Sequence, residues 1–203
     1  MKNNWMRLIT GLAALSLSGL LAAAPEVGEP APDFSVVDTA GETRTLSEFE
    51  GQTVILEWTN HECPFVVKHY EPGNMQDQQR MARDEHDAVW LSVISSSEGA
   101  QGHVSAEEAD ELTESRDAYP TAVLLDEDGT MGQAYGARVT PHMYIIDAAG
   151  TLRYMGGIDS NPSRNVEDIP DATQYVVVAL EEMAAGEDIT DTVTRPYGCT
   201  VHY

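Results

Sequence analysis

The chain has 203 residues, with 34 Asp and Glu against 11 Lys and Arg, a formal charge of −23 at pH 7. Such a surface repels nucleic acid and anionic lipid, so neither is an expected partner, and it suits solubility in a salty medium. The chain's size excludes a stapled mini-protein, and its two cysteines exclude a four-cysteine zinc site. What remains for them is a redox pair, a structural bridge or two separate thiols.

Residues 1–24 read as a secretory signal peptide. Lys2 and Arg7 flank a short start, and "LITGLAALSLSGLLAAA" runs apolar and small up to Pro25. Cleavage is expected within Ala22 to Ala24, and no cysteine follows for a lipid anchor. The alternative is an uncleaved N-terminal anchor, for which this stretch is near the lower length limit. No later segment is apolar enough to span a bilayer, so no stable membrane insertion is expected once the signal is removed. An exported chain, periplasmic or equivalent, permits disulfides.

Residues 25–186 read as one domain. Two short β-type runs, Ser35–Asp38 and Thr43–Leu46, bracket "TAGE" as a hairpin, and Ser47 is placed to cap a helical turn before Gly51. "TVILEWT", residues 53–59, is a compact apolar run of β-formers and predicts a buried strand. Pro64 suits the first position of a helix over 64–70, where its missing N–H is not needed. The helix breaks at "EPGN" and resumes through "MQDQQRMAR". "AVWLSVIS", 88–95, is a strand, "SAEE" at 105–108 is a capping box, and "TAVLLD", 121–126, is a strand ended by "EDG". "PHMYIID" and "TLRYMGG" are two strands at hairpin spacing around "AAG". A closing helix over "TQYVVVALEEMAAG" stops at Gly186, and residues 187–203 form a tail without regular pattern that carries Cys199. Alternating strands and helices followed by a hairpin argue an α/β domain with a mixed central sheet flanked by helices.

Within this frame Cys63 stands where a buried strand gives way to a helix. The helix dipole and converging N–H groups favour an anion there, and thiols at such positions fall from ~8.5 towards ~3.5–7.5. Neighbouring Glu62 works against that effect.

"GEPAPDF", "TLSEFEGQTVILEWTNHECP" and "ARVTPHMYIIDAAGTLRYMGGID" together resemble the thioredoxin superfamily, specifically exported redoxins related to thioredoxin-like disulfide reductases and to peroxiredoxins of the alkyl hydroperoxide reductase and thiol-specific antioxidant kind. The resemblance covers about residues 28–185. It implies a thioredoxin-like fold with an N-terminal hairpin extension, and a cis proline, Pro141, facing a catalytic Cys63. It further implies a substrate groove shaped by Pro64, Thr140 and Pro141, with Trp58 packing at its edge. Neither subfamily motif is complete. Cys63-Pro64-Phe65-Val66 lacks the second cysteine of a Cys-x-x-Cys, and Asn60 stands where peroxiredoxins carry the threonine that orients peroxide. Cys199, in a tail long enough to reach the domain face, is then the candidate resolving thiol.

The expected activity is thiol–disulfide oxidoreduction by Cys63 with Cys199 resolving, fed by an external thiol reductant and acting on a disulfide-bearing protein. The alternative within the class is a thiol peroxidase acting on a hydroperoxide. No nucleotide or flavin motif appears, so no cofactor is expected. A reading of another class makes His61, Cys63 and His142 a copper or zinc set in a carrier protein, against the simpler view that the two histidines tune the thiol. A third is a redox-inert domain stapled by Cys63 and Cys199. His69, His86, His103 and His202 read as surface residues, and Arg138 as a partner for Glu62 or an anionic substrate.

Overall fold

The computed structural model describes residues 24–203, so the predicted signal peptide lies almost wholly outside the described residues. β1 (Ser35–Asp38) and β2 (Thr43–Thr45) form the opening hairpin, with Gly41 in the left-handed region at its turn. A 3-10 turn follows over Leu46–Phe49. It starts after Thr45, whose N–H donates to the Glu48 carboxylate, so Thr45 and not Ser47 stands at its cap. β3 (Val54–Trp58) leads to α1 (Pro64–Tyr70), whose first residue is the proline. α2 (Asn74–Arg80) widens into a π-turn over Met81–Glu85 before β4 (Val89–Ile94).

α3 (Ala106–Ser115) opens on the anticipated capping box: the Ser105 N–H donates to Glu108 at 2.8 Å and the Glu108 N–H to Ser105 Oγ at 3.3 Å. β5 (Ala122–Leu125), α4 (Thr130–Tyr135) and the two-residue β6 (Val139–Thr140) follow. The hairpin of β7 (His142–Ile146) and β8 (Leu152–Gly156) leads to α5 (Tyr175–Ala185). Finally, the tail contains β9 (Cys199–Thr200). The tail thus departs from the irregular run the sequence suggested, because its strand is completed by β6 and not by a local partner.

Seven strands form one sheet in the order β2-β1-β5-β4-β3-β7-β8, with β6 and β9 paired separately. β3, β4 and β5 are parallel and β7 runs antiparallel to β3, which makes the sheet mixed. β3 is central and wholly buried, and its alternate residues feed two cores. Val54, Leu56 and Trp58 pack with Leu91, Tyr144 and Ile146 on one face; Ile55 packs with Trp90, Met143, Ile145 and Cys63 on the other. Cys63 therefore belongs to the α1 and α5 side of the sheet. Among the described residues no helix is long and apolar enough to cross a membrane.

On that same side Glu57 is a buried carboxylate with no ion-pair partner among the described residues. Its charge is met by donors instead: Tyr70 Oη at 2.8 Å, Trp90 Nε1 at 2.9 Å, Ser92 Oγ at 3.0 Å and Gln79 Nε2 at 3.4 Å. On the opposite face Trp58 Nε1 donates to Ser95 Oγ at 2.9 Å. Ser95 donates to Asp126, which accepts the Met131 and Gly132 N–H groups at the start of α4. Turn polarity and helix placement are thus bonded into the core.

Burial raises the Glu57 pKa above its ordinary 4.5, despite the donors. Its contribution to stability is therefore full below that value and is lost as pH climbs through the folded-state pKa. Denaturant titrations of wild type and Glu57→Gln across this range are expected to show a stability difference that moves against the wild type as pH rises. Parallel profiles would contradict this.

Candidate active site

Three segments meet at Cys63: the β3–α1 junction, the cis Thr140–Pro141 peptide between β6 and β7, and the C-terminal tail. Cys63 is the residue before α1; its N–H bonds the Asn60 carbonyl at 3.0 Å and its own carbonyl accepts the Val66 and Val67 N–H groups. Asn60 is held by its own side chain, which accepts the Glu62 N–H at 2.9 Å and donates to the Gln101 carbonyl. This residue therefore shapes the turn that presents Cys63. Glu62 points away from the sulfur and accepts the Gly102 N–H at 2.8 Å.

The Cys63 thiol donates to the Thr140 carbonyl at 3.1 Å, and the Cys199 main-chain N–H donates to Cys63 Sγ at 3.3 Å. Both cysteines are free, Cys63 fully buried and Cys199 half-buried. Burial, together with the adjacent Cys63 sulfur, pushes the Cys199 thiol up to about 12. Cys199 is consequently protonated at neutral pH while it lies against Cys63. Thr140 Oγ1 is buried beside them with no hydrogen-bond partner among the described residues.

Tail residues reach this position through close main-chain approaches. Gly198 has φ +142, and a Cβ placed there would lie 1.8 Å from the Thr140 carbonyl oxygen. Upstream, Thr194 bonds the Gly157 N–H at 3.0 Å, and Tyr197 Oη donates to Asp159. Asp159 also pairs with Lys68 at 2.9 Å, and both side chains are fully buried. Downstream, the Val201 N–H bonds the Arg138 carbonyl at 3.0 Å. Tyr203 ends the chain against Gly129 and Gly132, its hydroxyl donating to the Ala137 carbonyl. Only two lysines occur in the sequence, and the one outside the N-terminal segment is spent on this buried pair.

Of the residues singled out from sequence, Cys63, Pro64, Thr140, Pro141 and Cys199 come together. Trp58 does not: it is fully buried on the opposite sheet face, its ring against Tyr135 and Tyr144, because β3 alternates. His142 is displaced for the same reason. It shares the Tyr144 face of β7 while Met143 faces Cys63, its Nδ1 lies 3.1 Å from Tyr144 Oη, and burial lowers its pKa to about 3. His61, half-buried, offers its carbonyl to Arg116, and burial lowers its imidazole pKa. No group of three or more His, Cys, Asp or Glu among the described residues is placed to hold a metal ion, so the His61–Cys63–His142 set of the alternative carrier reading is not brought together.

His69 is a further correction. It is fully buried rather than on the surface, with Nδ1 accepting from Asn74 at 2.8 Å and Nε2 3.3 Å from Tyr197 Oη. Burial lowers its pKa to about 4. Tyr197, Gly198 and Asp159 escaped the sequence reading; the Pro-Tyr-Gly-Cys run was the available signal, but its partners lie far away in sequence.

A family model described as AhpC/TSA matches residues 27–155. The chain belongs to the AhpC/TSA family. Comparison with solved structures gives thioredoxin-like neighbours. A hypothetical protein from Sinorhizobium meliloti superposes with a TM-score of 0.72 at 21% identity, covering 89% of this chain and 96% of its own. An uncharacterized conserved protein from Geobacillus kaustophilus gives 0.71 at 22%, covering 88% and 92%. The exposed lipoprotein thioredoxin of Streptococcus pneumoniae gives 0.50 at 24%, covering 74% and 99%. At these identities the likeness is one of fold. A search of curated proteins found no match.

Gly198→Ala is expected to expel the tail from Thr140, since a methyl group cannot share that space with a carbonyl oxygen. Native-state labelling of Cys63 with a thiol reagent should then be on the order of tenfold faster or more than in wild type, the factor that overpacking of this size carries. Equal labelling rates would refute the assignment of Gly198.

Proposed function

We propose that this redoxin is an exported thiol-based oxidoreductase in which Cys63 is the attacking thiolate and Cys199 the resolving thiol. The observation that carries the reading is the Cys199 N–H on Cys63 Sγ, which brings residues 136 positions apart into one site. Family membership supports thiol chemistry in general. The exported setting rests on the basic and apolar pattern of residues 1–24.

In the cycle we propose, Cys63 attacks one sulfur of a disulfide substrate and the other sulfur departs as a thiolate that takes up a proton. The Cys199 sulfur then attacks Cys63 of the mixed disulfide, losing its proton as the second substrate thiol leaves. The product is a Cys63–Cys199 disulfide and a reduced substrate. An external dithiol returns the pair to the thiol form. With a hydroperoxide, the same pair would instead pass through a Cys63 sulfenic acid, which Cys199 condenses with the loss of water. That second reading is favoured by the family model alone.

Turnover of a model disulfide and of a hydroperoxide, each with a dithiol as donor, tests the assignment. Cys63→Ser should abolish activity with whichever oxidant is used. Cys199→Ser, given one dose of oxidant before any dithiol is added, should stop after one event, with substrate or oxygen retained on Cys63. Full turnover in Cys63→Ser would overturn the proposal.

A further inference from the structure

Beside Cys63 the main chain of Val139 and Thr140 offers a short strand edge, and the chain's own C-terminal segment fills it. Val139 pairs with Thr200 and Thr140 with Cys199, antiparallel. The pose is that of an extended peptide laid along the edge with its cysteine against Cys63. Main-chain pairing is blind to sequence, so selectivity has to come from the places where side chains would collide.

One such place is defined. At the residue before the cysteine, a Cβ would stand 1.8 Å from the Thr140 oxygen, 2.6 Å from its carbonyl carbon and 3.3 Å from the Pro141 nitrogen. All three are main-chain atoms. Thr140 is itself buried and its carbonyl accepts the Cys63 thiol, so retreat would break that contact. The residue on the other side of the cysteine, Thr200, pairs through its main chain and has an exposed side chain.

We propose that the Val139–Thr140 edge is a docking site for an external, extended segment whose cysteine is preceded by glycine, and that residues 197–201 are its resident occupant, displaced when such a partner binds. This rests on Cys63 being a reactive thiol. Exchange with the partner is balanced: the Cys63 thiolate attacks the partner's cysteine sulfur, the new S–S bond forms as the old one breaks, and the displaced thiolate takes a proton. Without the tail's own glycine the occupant could not lie so close; a partner using this register meets the same wall.

The test uses the chain in two forms. Gly198→Ala with Cys199→Ser lifts the tail and removes the internal thiol, whereas Cys199→Ser alone leaves the tail seated. Each is mixed with three short peptides that differ only in the residue before cysteine (Gly, Ala or Val), activated as 2-thiopyridyl disulfides, and release of thiopyridone is followed. Methyl methanethiosulfonate serves as a compact control electrophile. In the lifted form the Gly-Cys peptide should react with Cys63 faster than the Val-Cys peptide by on the order of tenfold or more, as expected for overpacking against rigid main chain. In the seated form all three peptides should be slowed. Equal peptide rates in the lifted form, with rapid reaction of the control, overturn the docking proposal and leave Cys63 a reactive thiol. Failure of the control as well would overturn the reading of Cys63 on which it rests. Should the lifted form not fold, judged by circular dichroism, Tyr197→Phe with Cys199→Ser loosens the same segment, and the same peptide order decides.

Discussion

The carbonyl of Thr140 is the point on which the site depends. It accepts the Cys63 thiol on one side, while the tail passes over it so closely that only glycine fits at position 198. Those two demands fix the position of Cys199 without any contact between the cysteine side chains having to be specified first. The ladder from Thr140 to Cys199 and from Val139 to Thr200 converts the passage into a defined register. A thiol on a free tail would sample many positions at an entropic cost; here the ordering is already supplied by the fold.

Holding the tail in that register takes buried polar chemistry. A fully buried Lys68–Asp159 pair forfeits hydration, and its attraction compensates only when the remaining donors and acceptors are met. Here they are met by the Asn161 carbonyl, the Asn161 N–H and the Tyr197 hydroxyl. One of those partners belongs to the tail. Lifting Tyr197 would leave a buried charge pair short of a hydrogen bond, so the network opposes release of the segment that carries Cys199. At the other end, Tyr203 stacks into space left by two glycines. The tail is fastened on both sides of its cysteine.

Much of this was legible in the sequence. β1, α1 and the α3 cap fall where their residues put them, because each is decided locally: β-formers around a Gly turn, a proline at the first helical position, and a Ser-x-x-Glu box. The placement of Cys63 opposite Pro141 followed from family resemblance. Trp58 and His142 were misplaced for a reason that sequence proximity conceals. Each is next to the site along its strand, yet the pleat turns its side chain to the far face. β9 and the buried state of His69 were out of reach because their partners, Val139–Thr140 and Asp159 with Tyr197, are assembled only by the tertiary fold. The start of α4 is fixed by Asp126 in the turn just before it, whose carboxylate accepts the Met131 and Gly132 N–H groups.

The central claim is that Cys63 and Cys199 form one reversible redox pair within a single chain. The most direct measurement is intact mass with peptide mapping of the reduced protein after a stoichiometric dose of oxidant, quenched in acid and run without reductant. The account predicts a monomer lighter by two hydrogens, a single linked peptide joining Cys63 to Cys199, and full reversal by dithiol. Oxygen or an adduct retained on Cys63 while Cys199 stays a free thiol would contradict it.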